Sequence, residues 1–104
     1  MQVDVELKNV IFETEGNLAT ITINRPKALN ALNSDTLREL DIVIDSIENN
    51  SDIYCVIVTG AGQKAFVAGA DIAEMKDLNS TEAEEFGLLG NKVFRRLETL
   101  DKPV

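Results

Sequence analysis

The chain has no histidine, a single cysteine, few aromatic residues (5%) and far fewer bases than acids, 10 against 18. Each shortage removes something. Without histidine there is no Ser-His or Cys-His pair and none of the commonest zinc sites. Proton transfer within the chain is left to carboxylates, lysines or water. One cysteine, Cys55, cannot close an internal disulfide, which fits a reducing cytoplasm. Because it lies in an apolar run, we expect a buried and inert thiol. The net charge of −8 argues against nucleic acid as a partner, since that requires a basic face. It leaves room for a small phosphate-bearing ligand, which needs only local N–H groups and one or two bases. No apolar run approaches the roughly 20 residues of a membrane span. The acidic, alternating start MQVDVELKN reads as neither a secretory signal nor a transit peptide. A length of 104 residues bounds the chain to one domain, or part of one.

What is present is a pattern of alternating element types. Residues 9–15 and 18–24 read as two strands joined at Gly16-Asn17, because Ala19, Ile21 and Ile23 alternate with polar residues and Gly and Asn tolerate a tight turn. Residues 35–49 read as a helix capped by Ser34 or Asp35, with Leu37, Leu40, Ile44 and Ile47 at helical spacing. The nearly continuous apolar run 53–59 predicts a strand covered on both faces. A short helical piece at 71–77 precedes a helix at 81–99, for which Thr81 to Glu84 has the capping-box form. Its apolar stripe is Phe86, Leu89, Val93, Leu97 and Leu100. Gly87 and Gly90 weaken it by roughly 1 kcal/mol each unless they allow close packing. The closing KPV reads as the entry to a further strand, which suggests a truncated protein.

Two glycine-rich turns fall within TGAGQKAFVAGADI. The first, GAGQKA, follows an apolar strand and has the form G-x-G-x-x-A of a dinucleotide site. Its context is wrong, because a long helix should start inside the motif. Phe66 to Gly69 intervene instead, so this turn reads as structural. The second, FVAGADI, together with NRPKALNAL at 24–32, has the order and spacing that resemble the crotonase (enoyl-CoA hydratase/isomerase) family. The likeness runs from about residue 10 to Val104.

That resemblance implies an α/β fold of strand-strand-helix units wound as a crotonase-like spiral, with residues 1–104 forming the N-terminal part of one catalytic domain. It implies reversible hydration of a trans-2-enoyl-CoA of short chain, in fatty-acid or butyryl-CoA metabolism, with two backbone N–H groups stabilising a thioester enolate. The first donor by the family pattern is the N–H of Ala70, with Gly69 allowing close backbone approach and Ala70 opening a short helix. Lys27, Ala28, Leu29 and Ala31 line the CoA chain, and Lys27 faces its phosphates. Ala68 and Ile72 flank the hole. Asp71 reads first as a helix cap, with substrate contact as the alternative. Arg25 reads as a solvated loop base, and Met75, Phe86 and Leu89 as core packing rather than walls of an acyl pocket. Some relatives have a lysine where Ala73 stands.

The family's second donor and two catalytic glutamates are expected beyond Val104, so this chain alone should be inactive. Cofactors are expected to be none, CoA arriving with the substrate; the partners implied are acyl-CoA and further copies in a cytoplasmic trimer or hexamer. The competing readings are another acyl-CoA enzyme of the family (an isomerase, hydrolase or decarboxylase), a non-catalytic binding module, and a nucleotide binder using Gly60 and Gly62.

Overall fold

The structure, a computed structural model, describes residues 6–63, 66–67 and 69–104. Strands β1 (Val10–Glu15) and β2 (Leu18–Ile23) form an antiparallel hairpin whose register pairs Val10 with Ile23 and Glu15 with Leu18. Gly16 makes the turn at φ +58°, a value that glycine takes without a steric penalty. Helix α1 (Ser34–Glu48) then crosses over, and β3 (Cys55–Gly60) pairs parallel to β2. A four-residue helix α2 (Ile72–Met75) and the long α3 (Ser80–Glu98) complete the chain.

Alternation decides which way each strand faces. Ala19, Ile21 and Ile23 of β2 and Val56 of β3 point into one core with Leu37, Leu40, Val43, Ile44 and Ile47 of α1. Val93 of α3 is buried, and Phe86, Leu89, Leu97 and Leu100 pack against that core. The apolar stripe predicted for α3 is therefore observed. Coverage of β3 on both faces is not: Ile57 is 45% exposed and Cys55 is half-buried, because α1 and α3 lie on the same side of the sheet.

Both long helices start one residue earlier than expected, and for the same reason. Asn33 caps α1 by accepting the Thr36 N–H at 2.9 Å, in place of Ser34 or Asp35. Asn79 caps α3, and the reciprocal partner in its capping box is Glu82, not Glu84. An amide oxygen serves as well as a hydroxyl at this position, so an N-S or N-S-T run leaves the register open. The carbonyl end of α1 is closed by Lys102, whose Nζ donates to the carbonyls of Ile47 and Asn50 at 2.8 and 2.6 Å.

Charge locks α3 onto α1. Arg96 donates to Asp41, Asp45 and Glu48, successive acids on one face of α1, and Lys92 also reaches Asp41. Burial alone would raise the Asp41 pKa, but the hydrogen bonds and charge of Arg96 and Lys92 outweigh it, and the net direction is down. Near the N-terminus, buried Glu39 accepts from the Lys8 and Asn9 backbone and from the Asn9 side chain, which ties the lead-in of β1 to α1.

Candidate functional site

The loops that follow β2 and β3 lie at the carboxyl ends of two parallel strands, where open α/β sheets gather their ligands. After β2, Pro26–Ala28 form one 3-10 turn, and Leu29 and Asn30 then take left-handed conformations at φ +54° and +59°. Such values are uncommon outside glycine, and asparagine is among the few residues enriched there. Asn30 holds the shape: its Oδ1 accepts the Arg25 N–H at 2.9 Å and its Nδ2 donates to the Ala61 carbonyl at 2.9 Å.

That second bond explains the first glycine turn. A Cβ on Gly60 would overlap the Phe66 carbonyl and lie 2.7 Å from Asn30 Nδ2. Glycine is required at position 60 by packing, as a structural turn should show. Among the described residues no helix starts inside the motif and the next is Ile72–Met75, so there the dinucleotide fingerprint lacks its phosphate-facing helix. Yet Ala61, Gly62 and Gln63 line a groove of about 400 Å³ whose opposite wall is Pro26, Lys27 and Leu29. Sequence reasoning missed this participation, since the two segments are more than thirty residues apart and are brought together by tertiary contacts such as the Asn30 bond to the Ala61 carbonyl.

The second turn is joined to the loop after β2 by a single parallel bridge between Leu32 and Ala70. The Leu32 N–H donates to the Gly69 carbonyl at 2.7 Å, and the Asp71 N–H to the Leu32 carbonyl at 2.8 Å. A parallel bridge of this kind uses the groups on either side of residue 70 and turns that residue's own N–H the other way. Ala70 is exposed, and its N–H has no acceptor among the described residues. Gly69 stands at φ +118°, with open space where a side chain would be. Position 69 thus demands glycine for its backbone and leaves the approach to Ala70 unobstructed.

One expectation needs correction here. Ala70 does not open the short helix: α2 begins at Ile72 with Asp71 as its cap, and Ala70 belongs to the bridge. The reason is the Leu32 carbonyl, which draws residues 69–71 into extended pairing before the helix can start.

Asp71 is a cap and more. Its Oδ1 accepts from the N–H groups of Ala73 and Glu74 at 3.0 and 3.3 Å, and its Oδ2 accepts from Arg25 at 3.0 Å. The hydrogen bond from Arg25 is the largest influence on its carboxyl, whose pKa is lowered. With both oxygens engaged by the protein, the capping reading is the one the geometry bears out. Arg25 is not a solvated loop base: its side chain is 19% exposed, and Nη1 also donates to the Ala31 carbonyl at 2.5 Å. A guanidinium can satisfy two acceptors at once, and two lie within its reach.

The remaining candidates divide by exposure. Lys27 and Leu29 are exposed and line the 400 Å³ groove; Ala28 and Ala31 are half-buried behind it; Ile72 is 79% exposed. Ala68 lies outside the described residues. Phe86 and Leu89 pack against the core as expected, but they also line a second groove of about 380 Å³ with Leu78 and Glu74. Glu74 accepts from the backbone N–H and hydroxyl of Ser34, tying α2 to the start of α1. Met75 is 43% exposed and is not part of the core.

Residues 13–104 match the family model described as enoyl-CoA hydratase/isomerase. The chain belongs to the enoyl-CoA hydratase/isomerase family. Among curated relatives it is 68% identical over 100 residues to the short-chain-enoyl-CoA hydratase of Clostridium acetobutylicum, a match covering 96% of this chain and 38% of that protein. It is 52% identical over 97 residues to the crotonyl-CoA hydratase of Syntrophomonas wolfei, covering 93% of this chain and 37% of that protein. The chain thus spans little more than a third of the length of these hydratases. The crystal structure of enoyl-CoA hydratase from Bacillus anthracis superposes with a TM-score of 0.90 at 30% identity, over 93% of this chain and 38% of that one. The family assignment and the crotonase-like α/β fold read from NRPKALNAL and FVAGADI are both borne out.

Proposed function

We propose that the protein carrying this chain is an enoyl-CoA hydratase that adds water reversibly across the double bond of a short trans-2-enoyl-CoA, with crotonyl-CoA as the model substrate. One observation carries the reading: Ala70 is exposed, and its N–H faces away from the Leu32 bridge and has no acceptor among the described residues. In this reading it donates to the thioester oxygen as negative charge grows there. Water gives up one proton to a base as its oxygen bonds to C3, the electron pair of the double bond moves toward the carbonyl, and a proton is then delivered to C2. A preorganised donor aimed at such an oxyanion contributes about 3–4 kcal/mol to the transition state.

The CoA portion of the substrate fits the groove between Lys27 and Leu29 on one side and Ala61 to Gln63 on the other. Lys27 is its exposed base and suits the nucleotide phosphates, while Leu29 offers apolar surface to the pantetheine chain. Ile72 and Gly69 flank the thioester. Arg25 is withdrawn from this role by its bonds to Ala31 and Asp71. The reading calls for no resident cofactor, and it carries with it a cytoplasmic trimer or dimer of trimers. Names of relatives support the substrate class, because both the Clostridium and Syntrophomonas proteins are hydratases of enoyl-CoA thioesters.

The test is hydration of crotonyl-CoA by the product of the complete reading frame, followed as loss of the enoyl-thioester absorbance. Turnover supports the proposal. Migration of the double bond in a 3-enoyl-CoA without hydration would transfer the assignment to the isomerase branch that the family description includes. A product that binds acetoacetyl-CoA but turns over no acyl-CoA would indicate a non-catalytic module.

A further inference from the structure

We infer that Arg25 and Asp71 are positioning residues for the Ala70 amide, an inference that rests on the oxyanion role proposed for it. The bridge that orients Ala70 is isolated: two backbone hydrogen bonds, Leu32 N–H to Gly69 and Asp71 N–H to Leu32, hold two loops together. Next to it stands Gly69, whose missing side chain lets the peptide between 69 and 70 swing at little steric cost. An amide whose direction matters to catalysis is poorly served by so soft a support.

Arg25 stiffens that support from the side. One nitrogen, Nη1, donates to the Ala31 carbonyl at 2.5 Å and to Asp71 Oδ2 at 3.0 Å. Ala31 precedes Leu32 and Asp71 follows Ala70, so a single guanidinium grips both strands of the bridge one residue from its bridging positions. The other oxygen of Asp71 caps α2 through Ala73 and Glu74, and Glu74 is held in turn by Ser34 at the start of α1. The chain on the far side of Ala70 is therefore anchored to a long helix. Both side chains of the pair are largely withdrawn from water, at 19% and 15% exposure, where an ion pair holds its geometry better than it does at the surface. Neither Arg25 nor Asp71 need touch the substrate; they fix the direction in which position 70 presents its hydrogen.

The experiment uses the complete reading frame with Arg25→Met, Arg25→Lys and Asp71→Asn. Steady-state hydration of crotonyl-CoA gives kcat and KM. The absorbance of bound 2,4-hexadienoyl-CoA shifts to the red when its carbonyl is polarised, and so reports on the amide directly. We expect Arg25→Met and Asp71→Asn to lower kcat by roughly 10- to 100-fold, as for a weakened oxyanion donor, with KM changing by less than about threefold, and to shrink the red shift. Arg25→Lys should recover part of both. Asp71→Asn keeps an oxygen for the α2 cap, so it remains a folded test even if Arg25→Met does not fold. A pair that only stabilises the fold would lower the melting temperature while leaving kcat per folded site and the red shift at wild-type values, and that result overturns the inference. A wild-type protein that shows neither hydration nor a red shift removes the functional reading itself, a different outcome from the first.

Discussion

At the scale of single residues, the site is held together largely by side chains that bond backbone groups, with the Arg25–Asp71 pair beside them. Asn30 is the clearest case: it is 1% exposed, stands at a positive φ, and joins the Arg25 N–H on its own loop to the Ala61 carbonyl at the end of β3. Replacing it by alanine leaves both groups without their partner and forces a left-handed conformation on a residue that resists it. We expect Asn30→Ala to cost about 2–4 kcal/mol in urea unfolding. Asn30→Gly should recover only the backbone part. Asp71 supplies a prediction in pH. Its pKa is lowered from 3.8 in the folded state, chiefly by the hydrogen bond from Arg25. The unfolded chain therefore holds more protons between the two values, and stability rises with pH across that interval. The contribution of Asp71 is complete above about pH 4 and is lost as pH falls through the folded value. Acid titration of Asp71→Asn should show a shallower loss of stability below pH 4 than the wild type; parallel curves would deny the pair any linkage to folding.

Elements add constraints that single residues do not. The helix α3 carries Val93 and its partly buried neighbours on one face and Gly87 on another, where an added Cβ would meet nothing within 4 Å. Gly87 therefore serves no close packing in this chain, and Gly87→Ala should stabilise the protein by about 0.5–1 kcal/mol, read as a rise in melting temperature. Gly90 differs, since its added Cβ would lie 3.8 Å from Leu37. The elements themselves were readable with little error: the hairpin from strict alternation and the Gly16-Asn17 turn, both long helices from apolar spacing. Their starts were displaced by one residue because Asn33 and Asn79 cap as well as the serines and threonines that follow them. The short helix lies within the span read for it, and only Ala70 as its opening residue was misread, for a different reason. Asp71 caps it, but the carbonyl that keeps Ala70 extended belongs to Leu32, which local pattern cannot bring to that spot.

For the whole molecule, the sheet is covered by helices on one face only, and Ile11 and Ile57 remain 40% and 45% exposed on strands β1 and β3. The chain also spans 38% and 37% of the Clostridium and Syntrophomonas hydratases. In the proposed reading these residues contribute one oxyanion donor, the Ala70 N–H, and none of their carboxylates is assigned to move protons. We expect the 104-residue chain alone to show no hydration of crotonyl-CoA under conditions where the complete reading frame turns over; measurable turnover by the short chain would place the whole reaction within these residues.

Hydrophobic period and turn chemistry were enough to read the strands, the long helices and the two loops that bear the family motifs, because those signals depend on neighbours within a few positions along the chain. The resemblance of FVAGADI to the family motif singled out Gly69 and Ala70 as candidates. It could not say that Arg25 reaches Asp71, that Asn30 brings the KALN loop against Ala61, or that the amide at 70 is turned outward by Leu32. Those facts arise from contacts between segments 31 to 46 residues apart. Tertiary packing alone decides them, since a hydrogen bond or ion pair forms only where folding has placed donor and acceptor within about 3 Å of each other.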